Sequence, residues 1–360
     1  MKAFAMHDCP NYDALSYCWG TAPRSLTILC NGRELPVTVT VASAILRLQL
    51  RGYKYPWLDA ICINQDDLPE RESQVQVMQS IYGRATRVWI WIGGDEATDA
   101  YGFASRIAFP TLELYAKDPS AAAVARQGRP VPQYREWTTT STDKSGVTST
   151  HHHNDTREIG FVKTDNVVQR QQNKFTAALE HILQQPCFDR VWCVQEAIMG
   201  RRAIVLSGPH EIEWDRFCRG LQVAVQSDES CQQTWGALRR DSLIARRALN
   251  MAVYQRPKSE GDPASFLLDL LFKYRARKAT DPRDKVYTLL GIVAHFFSES
   301  GIAVSYTKEA RDVYRDTSVY ISSKTCTLHM LSACGQRVPL NSTLSWVPDW
   351  SFNDALPKPF

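Results

Sequence analysis

The sequence predicts an α/β fold, a parallel sheet flanked by helices, followed by a largely helical C-terminal part. Three observations predict it. In the first half, short apolar runs bounded by turn residues alternate with amphipathic stretches at helical spacing. Strands separated by helices imply parallel βαβ units. After Trp214 the strand signals stop and helical ones take over.

Taken in order, residues 12–17 of "YDALSYCWG" read as the first strand. "LTILCNGRELPVTV" holds Asn31-Gly32 between two apolar runs, a strong hairpin signal. A helix follows at 41–51, with Ala44, Ile45 and Leu48 as its apolar face. "YPWLDAICI" (55–63), bounded by Pro56 and Asn64, reads as a buried strand. Residues 68–85 form an amphipathic helix, with Pro69 and acidic residues in its first turn. "TRVWIWIGG" (86–94) is the next strand, and 96–117 is helical. The stretch 118–172 changes character and reads as a loop or disordered insertion, because its Ser/Thr/Pro-rich composition cannot bury a core. A helix at 174–185 leads into a helix capped by Asp189 and the strand "AIVLSG". Helices are expected at 214–226, 236–254, 263–276, 284–297 and 307–323, and "LSWVPDWSF" closes the chain as an extended strap.

Composition excludes several classes. The chain has 360 residues, 44% hydrophobic and 22% charged, as expected of a sizeable core. With 42 basic and 38 acidic residues, it is too balanced for a nucleic-acid binder. Ten cysteines without a CxxC pair read as reduced, mostly buried thiols. The N-terminus lacks a signal peptide's apolar core, and the longest apolar stretch is too short to span a membrane. A cytoplasmic location is expected.

Three segments combine polar and aromatic residues where strands end or a helix begins. They are Ser16-Tyr17-Cys18-Trp19-Gly20, Asp59 with Asn64 and Gln65, and Arg190 with Trp192 and Glu196. In parallel α/β sheets, ligands bind beyond the carboxyl ends of the strands. Trp192 and Glu196 stand four apart on one helix face. An indole beside a carboxylate suits sugar hydroxyls or a cation next to an apolar ligand face. No glycine-rich phosphate loop of either common type is present.

"YDALSYCWG", "WLDAICINQDDLPERESQVQVMQSIYGRATRVWIWIG" and "FDRVWCVQEAI" together resemble the fungal heterokaryon incompatibility (HET) domain. "ATDPRDKVYTLLGI" and "LSWVPDWSF" resemble segments that follow this domain in larger relatives, so the resemblance covers nearly all of the chain outside 118–172. It implies a HET domain over 1–226, with the insertion at about 118–172, and a helical extension over 227–360 packed on the core.

A second resemblance is to TIR (Toll/interleukin receptor) domains, in the opening strand and in Trp192-Cys193-Val194-Gln195-Glu196. It implies a TIR-like sheet and an NAD glycohydrolase, with Glu196 as catalytic carboxylate. The implied substrate-binding residues are Ser16, Tyr17, Trp19, Gly20, Asp59, Asn64, Gln65, Arg190 and Trp192. NAD, or a related nucleotide, is then substrate rather than cofactor, and no cofactor or metal is required. Self-association for activity and a regulatory protein partner are also implied. In TIR domains a short loop precedes the glutamate helix, whereas here residues 94–188 intervene, and their helices must pack outside the sheet.

Plainer readings stand beside these. Glu196 pairs with Arg201 or Arg202, and Asp59 is locked to Arg190 or a backbone amide. The tryptophans fill the core. Cys62 and Cys193 have no nearby histidine and read as buried thiols rather than nucleophiles. His151-His152-His153 reads as a solvated tract rather than a metal site. Two functions follow: an NAD-cleaving effector of cell death in non-self recognition or innate immunity, or a non-catalytic HET module that signals through protein contacts.

Overall fold

The computed structural model describes residues 4–5, 8–19, 23–50, 52, 56–93, 99–126, 135–142, 148–155, 165–226, 262–297, 301–334 and 344–351. The chain divides into two compact units. The first comprises Met1–Asp95, Gln184–Pro209 and Val253–Phe360, and the second Glu96–Leu183 and His210–Ala252.

The first unit opens with β1 (Asp13–Tyr17), buried along its whole length. β2 (Leu26–Cys30) and β3 (Arg33–Val37) form the expected hairpin. Asn31 and Gly32 supply the positive φ of 52° and 76° that a two-residue turn of this hand requires. α1 (Val39–Leu50) buries Val41, Ala44 and Leu48, a spacing that keeps them on one face. β4 (Pro56–Trp57) is followed at once by α2 (Asp59–Cys62) and then α3 (Leu68–Arg84). The Asp67 side chain caps α3 by accepting the Glu70 N–H at 3.1 Å, with Pro69 in the first turn where no donor is needed.

Residues 55–63 are therefore not one strand. Only Pro56 and Trp57 join the sheet. Asp59 then takes the N–H of Ala60 on its own carboxylate at 2.7 Å, which satisfies a donor that a helix start leaves over. A short apolar run does not separate a buried strand from a buried helical turn.

β5 (Arg87–Trp91) completes the first half of the sheet. Later come α4 (Trp192–Met199), β6 (Ala203–Ser207), α5 (Pro263–Tyr274), α6 (Asp284–Phe297) and α7 (Ala310–Thr325). The strand order within this unit is β4-β1-β5-β6, all parallel. Leu15 and Tyr17 share a cluster with Trp89, Trp91 and the buried face of α1. Ser16, between them, points to the opposite face, where it meets Cys193 of α4. α6 is buried from Asp284 through Leu290 and again at Ile292 and Val293, so it is a core helix of this unit. The closing strap bends at a Val347 N–H to Leu344 carbonyl bond and seats Trp350 edge-on against Phe272, ring centres 5.9 Å apart.

In the second unit, helices Asp99–Lys117, Asp165–Leu183 and Trp214–Gln226 pack together through Phe109 against Phe217 and Tyr115 against Phe175. The stretch 118–172 is not wholly loop. It contains a helix, Pro119–Arg126, an antiparallel hairpin of Arg135–Thr142 with Thr148–Asp155, and the start of helix Asp165–Leu183. Alanine-rich "PSAAAVAR" favours helix and the threonine runs favour strand, although neither carries much apolar surface. His151, His152 and His153 fall on the second strand of that hairpin. The helix expected at 236–254 lies outside the described residues. Among the described residues, no helix is long and apolar enough to cross a membrane.

Candidate functional site

β4 and β5 flank β1 on opposite sides, so the strand order reverses at β1. In open parallel sheets the crevice beyond the carboxyl ends at such a reversal is where ligands bind. β1 ends there in Tyr17, with Trp19 two residues on, and β4 delivers Asp59 through the start of α2.

Asp59 is 9% exposed. The indole N–H of Trp19 donates to its two carboxylate oxygens at 3.1 and 3.0 Å, and Gln65 donates to its backbone carbonyl at 3.1 Å. Burial raises its pKa, against the opposing pull of the Arg190 guanidinium and the bonds from Trp19 and Ala60. Arg190 donates to the Tyr17 carbonyl at 2.5 Å, and its guanidinium lies 6.0 Å from the Trp19 ring centre. It is held by the segment before α5's successor helix: Val191 donates to the Lys278 carbonyl at 3.0 Å and Lys278 to the Asp189 carbonyl at 2.6 Å.

Glu196, in the middle of α4, is 2% exposed, and its Oε2 has no hydrogen-bond partner among the described residues. Its pKa is raised well above the ordinary value by burial first, then by Cys193 and Asp59, with Arg190 opposing. Arg201 and Arg202 are exposed and do not follow it inside. The Tyr17 hydroxyl is likewise buried without a hydrogen bond among the described residues, and burial followed by the Asp59 charge keeps it protonated. Ser16 donates to Cys193 Sγ at 3.6 Å, and Cys193 lies 3.1 Å from the sulfur of Cys187.

The structure thus brings Ser16, Tyr17, Trp19, Asp59, Arg190 and Glu196 to one end of the sheet. Gln65 supports the backbone of Asp59. Asn64 is exposed and caps a turn, accepting the Asp66 N–H at 3.2 Å. Trp192 turns its indole N–H to Asp284 at 3.0 Å, and Tyr306 donates to the other oxygen of that carboxylate at 2.5 Å. Gly20 lies outside the described residues. Among the described residues, no group of three His, Cys, Asp or Glu side chains is placed to hold a metal.

Chemically, the arrangement offers a desolvated carboxyl group with one oxygen unbonded among the described residues, a fixed guanidinium and a second carboxylate tied to an indole. Three participants escape a reading for site residues. Cys187 stands six before Cys193 in "PCFDRVWC", and Gln195 is buried with both polar ends unbonded among the described residues. Asp284 heads a helix otherwise strongly apolar, and that mismatch is the signal that would find it.

The profile of the heterokaryon incompatibility protein (HET) family matches residues 12–196, just over half of the chain. The chain belongs to the HET family. The HET match begins at the strand that carries Ser16 and ends on Glu196, so its two ends meet in the Ser16–Cys193 contact. The chain is also similar to heterokaryon incompatibility protein 6, OR allele, of Neurospora crassa, 25% identical over 387 residues. That alignment covers 95% of this chain and 53% of the relative, so the chain spans about half the length of the curated relative it matches. No solved structure matches the chain significantly.

Proposed function

We propose that this HET-family chain is an effector of heterokaryon incompatibility that cleaves the N-glycosidic bond of NAD, with Glu196 as the catalytic carboxylate. The incompatibility role draws on the family and on the name of the Neurospora relative. The observation that supports the chemistry is the unpartnered Oε2 of Glu196, 2% exposed at the reversal point of a parallel sheet. A carboxylate in a dry site stabilises positive charge more than one in water. Nicotinamide is a good leaving group, so the need is for stabilisation of an oxocarbenium-like ribose rather than for a strong acid. Arg190 suits the diphosphate, and Trp19 a flat face of the substrate. Self-association belongs to this reading, as does NAD or a related nucleotide as substrate.

Glu196's burial also supports a second reading, in which the domain signals through protein contacts and the carboxyl is core. Turnover requires the cover over Glu196 to open.

Nicotinamide release from NAD by purified protein decides between them. The expected result is a fall of about 100-fold or more in Glu196→Ala, and a similar fall in Glu196→Gln. Equal turnover in wild type and both variants, or none in any assembly state together with unchanged cell killing by the variants, overturns the enzymatic reading.

A further inference from the structure

We propose that Cys187 and Cys193 form a redox-active thiol pair that closes to a disulfide beside Glu196 under two-electron oxidation. The two sulfurs are 3.1 Å apart, both as free thiols. Cys187 sits in the 3-10 turn Pro186–Asp189, and Cys193 in the first turn of α4. A disulfide needs a separation of about 2.05 Å, so closure asks for about 1 Å of relative movement between a short turn and a helix end.

The surroundings sort the two sulfurs into different roles. Cys193 accepts from Ser16 at 3.6 Å and is 7% exposed, whereas Cys187 is 1% exposed. The hydrogen bond from Cys187 lowers the pKa of Cys193, helped by Arg190, Ser16 and Arg277. The same pairing raises that of Cys187. Cys193 is the thiolate and first nucleophile, and Cys187 the resolving thiol.

With a hydroperoxide as oxidant, the Cys193 thiolate attacks one peroxide oxygen and the O–O bond breaks. This gives a Cys193 sulfenic acid and releases hydroxide. The Cys187 sulfur then attacks the sulfenic sulfur. The S–S bond forms, the S–O bond breaks, and the hydroxide lost takes up the thiol proton as water. Two thiols and one hydrogen peroxide become one disulfide and two waters.

Closure removes the thiolate charge that stands next to Glu196 and Arg190. Any effect on turnover rests on the assignment of Glu196 to NAD cleavage, whereas formation of the bond does not.

Trypsin separates the two cysteines at Arg190, so the product is a linked pair of peptides, residues 175–190 and 191–201, neither containing another cysteine. The folded chain is treated with hydrogen peroxide, blocked with N-ethylmaleimide and mapped by mass spectrometry with and without reductant. The linked pair is expected to replace the two blocked peptides and to vanish on reduction. In Cys187→Ser, dimedone is expected to label Cys193 as sulfenic acid. Two fully blocked thiols after peroxide, or Cys193 as sulfinic acid beside a blocked Cys187, overturns the proposal. So does dimedone labelling of Cys187 in Cys193→Ser without labelling of Cys193 in Cys187→Ser.

Discussion

The indole N–H of Trp19 is shared between the two carboxylate oxygens of Asp59, 40 residues further along the chain. The contact ties the loop after β1 to the first turn of α2, and with Arg190 it opposes the burial that drives this carboxylate towards protonation. Trp19→Phe keeps an aromatic ring, though a smaller one, and deletes the donor. The expected cost is about 1–3 kcal/mol, read as a lower urea midpoint at unchanged slope.

Glu196→Gln tests the cost of burying a charge. A carboxyl whose pKa is raised on folding binds its proton more tightly in the folded state. Stability therefore falls as pH climbs above the ordinary glutamate value of 4.5. The glutamine variant lacks that fall. It is expected to match or exceed the wild type in melting temperature at neutral pH, and to lose the advantage near pH 4. A variant less stable than wild type at both pH values contradicts this.

Asp284 offers a second titration with a defined window. Burial lifts its carboxyl from 3.8 to about 6, against bonds from Tyr306 and Trp192. The sign is again that of a raised acid: stability is lost between those two values and is level above them. Two units correspond to about 3 kcal/mol. The difference in unfolding free energy between wild type and Asp284→Asn is expected to shift by about that amount between pH 4 and 6.5, and urea melts across that range measure it.

Gly291 of α6 faces the side chain of Gln195. A Cβ there would stand 2.3 Å from Gln195 Nε2 and 2.9 Å from its Cδ. Gln195 is 1% exposed and has little room to yield. Gly291→Ala is expected to destabilise by about 1–3 kcal/mol. Adding Gln195→Ala is expected to recover much of the loss, because Gln195 makes no hydrogen bonds among the described residues that truncation would break. Additive losses in the double variant would contradict a shared cause.

The sheet was legible because its strands are short apolar runs bounded by turns, and α1 and α3 because their apolar residues recur at helical spacing. The break at Asp59 was not, since a helical turn hidden among apolar residues has no period of its own. The meeting of Trp19 and Asp59 follows from parallel topology, which places consecutive strand ends together. Trp192 shows the limit. Its spacing from Glu196 is visible in the sequence, but its partner Asp284 lies 92 residues away in a different helix. The helix and hairpin within 118–172 stayed hidden because polar, low-complexity composition masks local propensity when little apolar surface accompanies it.

The contacts that finish the sheet span about half of the chain: Arg190 reaches Tyr17 across 173 residues, and Ser16 reaches Cys193 across 177. During synthesis β1, β4 and β5 emerge early, yet β6 and α4 arrive only after the whole Glu96–Leu183 segment has left the ribosome. For that interval β5 waits as an open edge rich in tryptophan and isoleucine, a template for mispairing with other nascent chains. Long loop closure also slows the final step. A nascent chain of this kind is expected to depend on a chaperone until Ser207 has emerged.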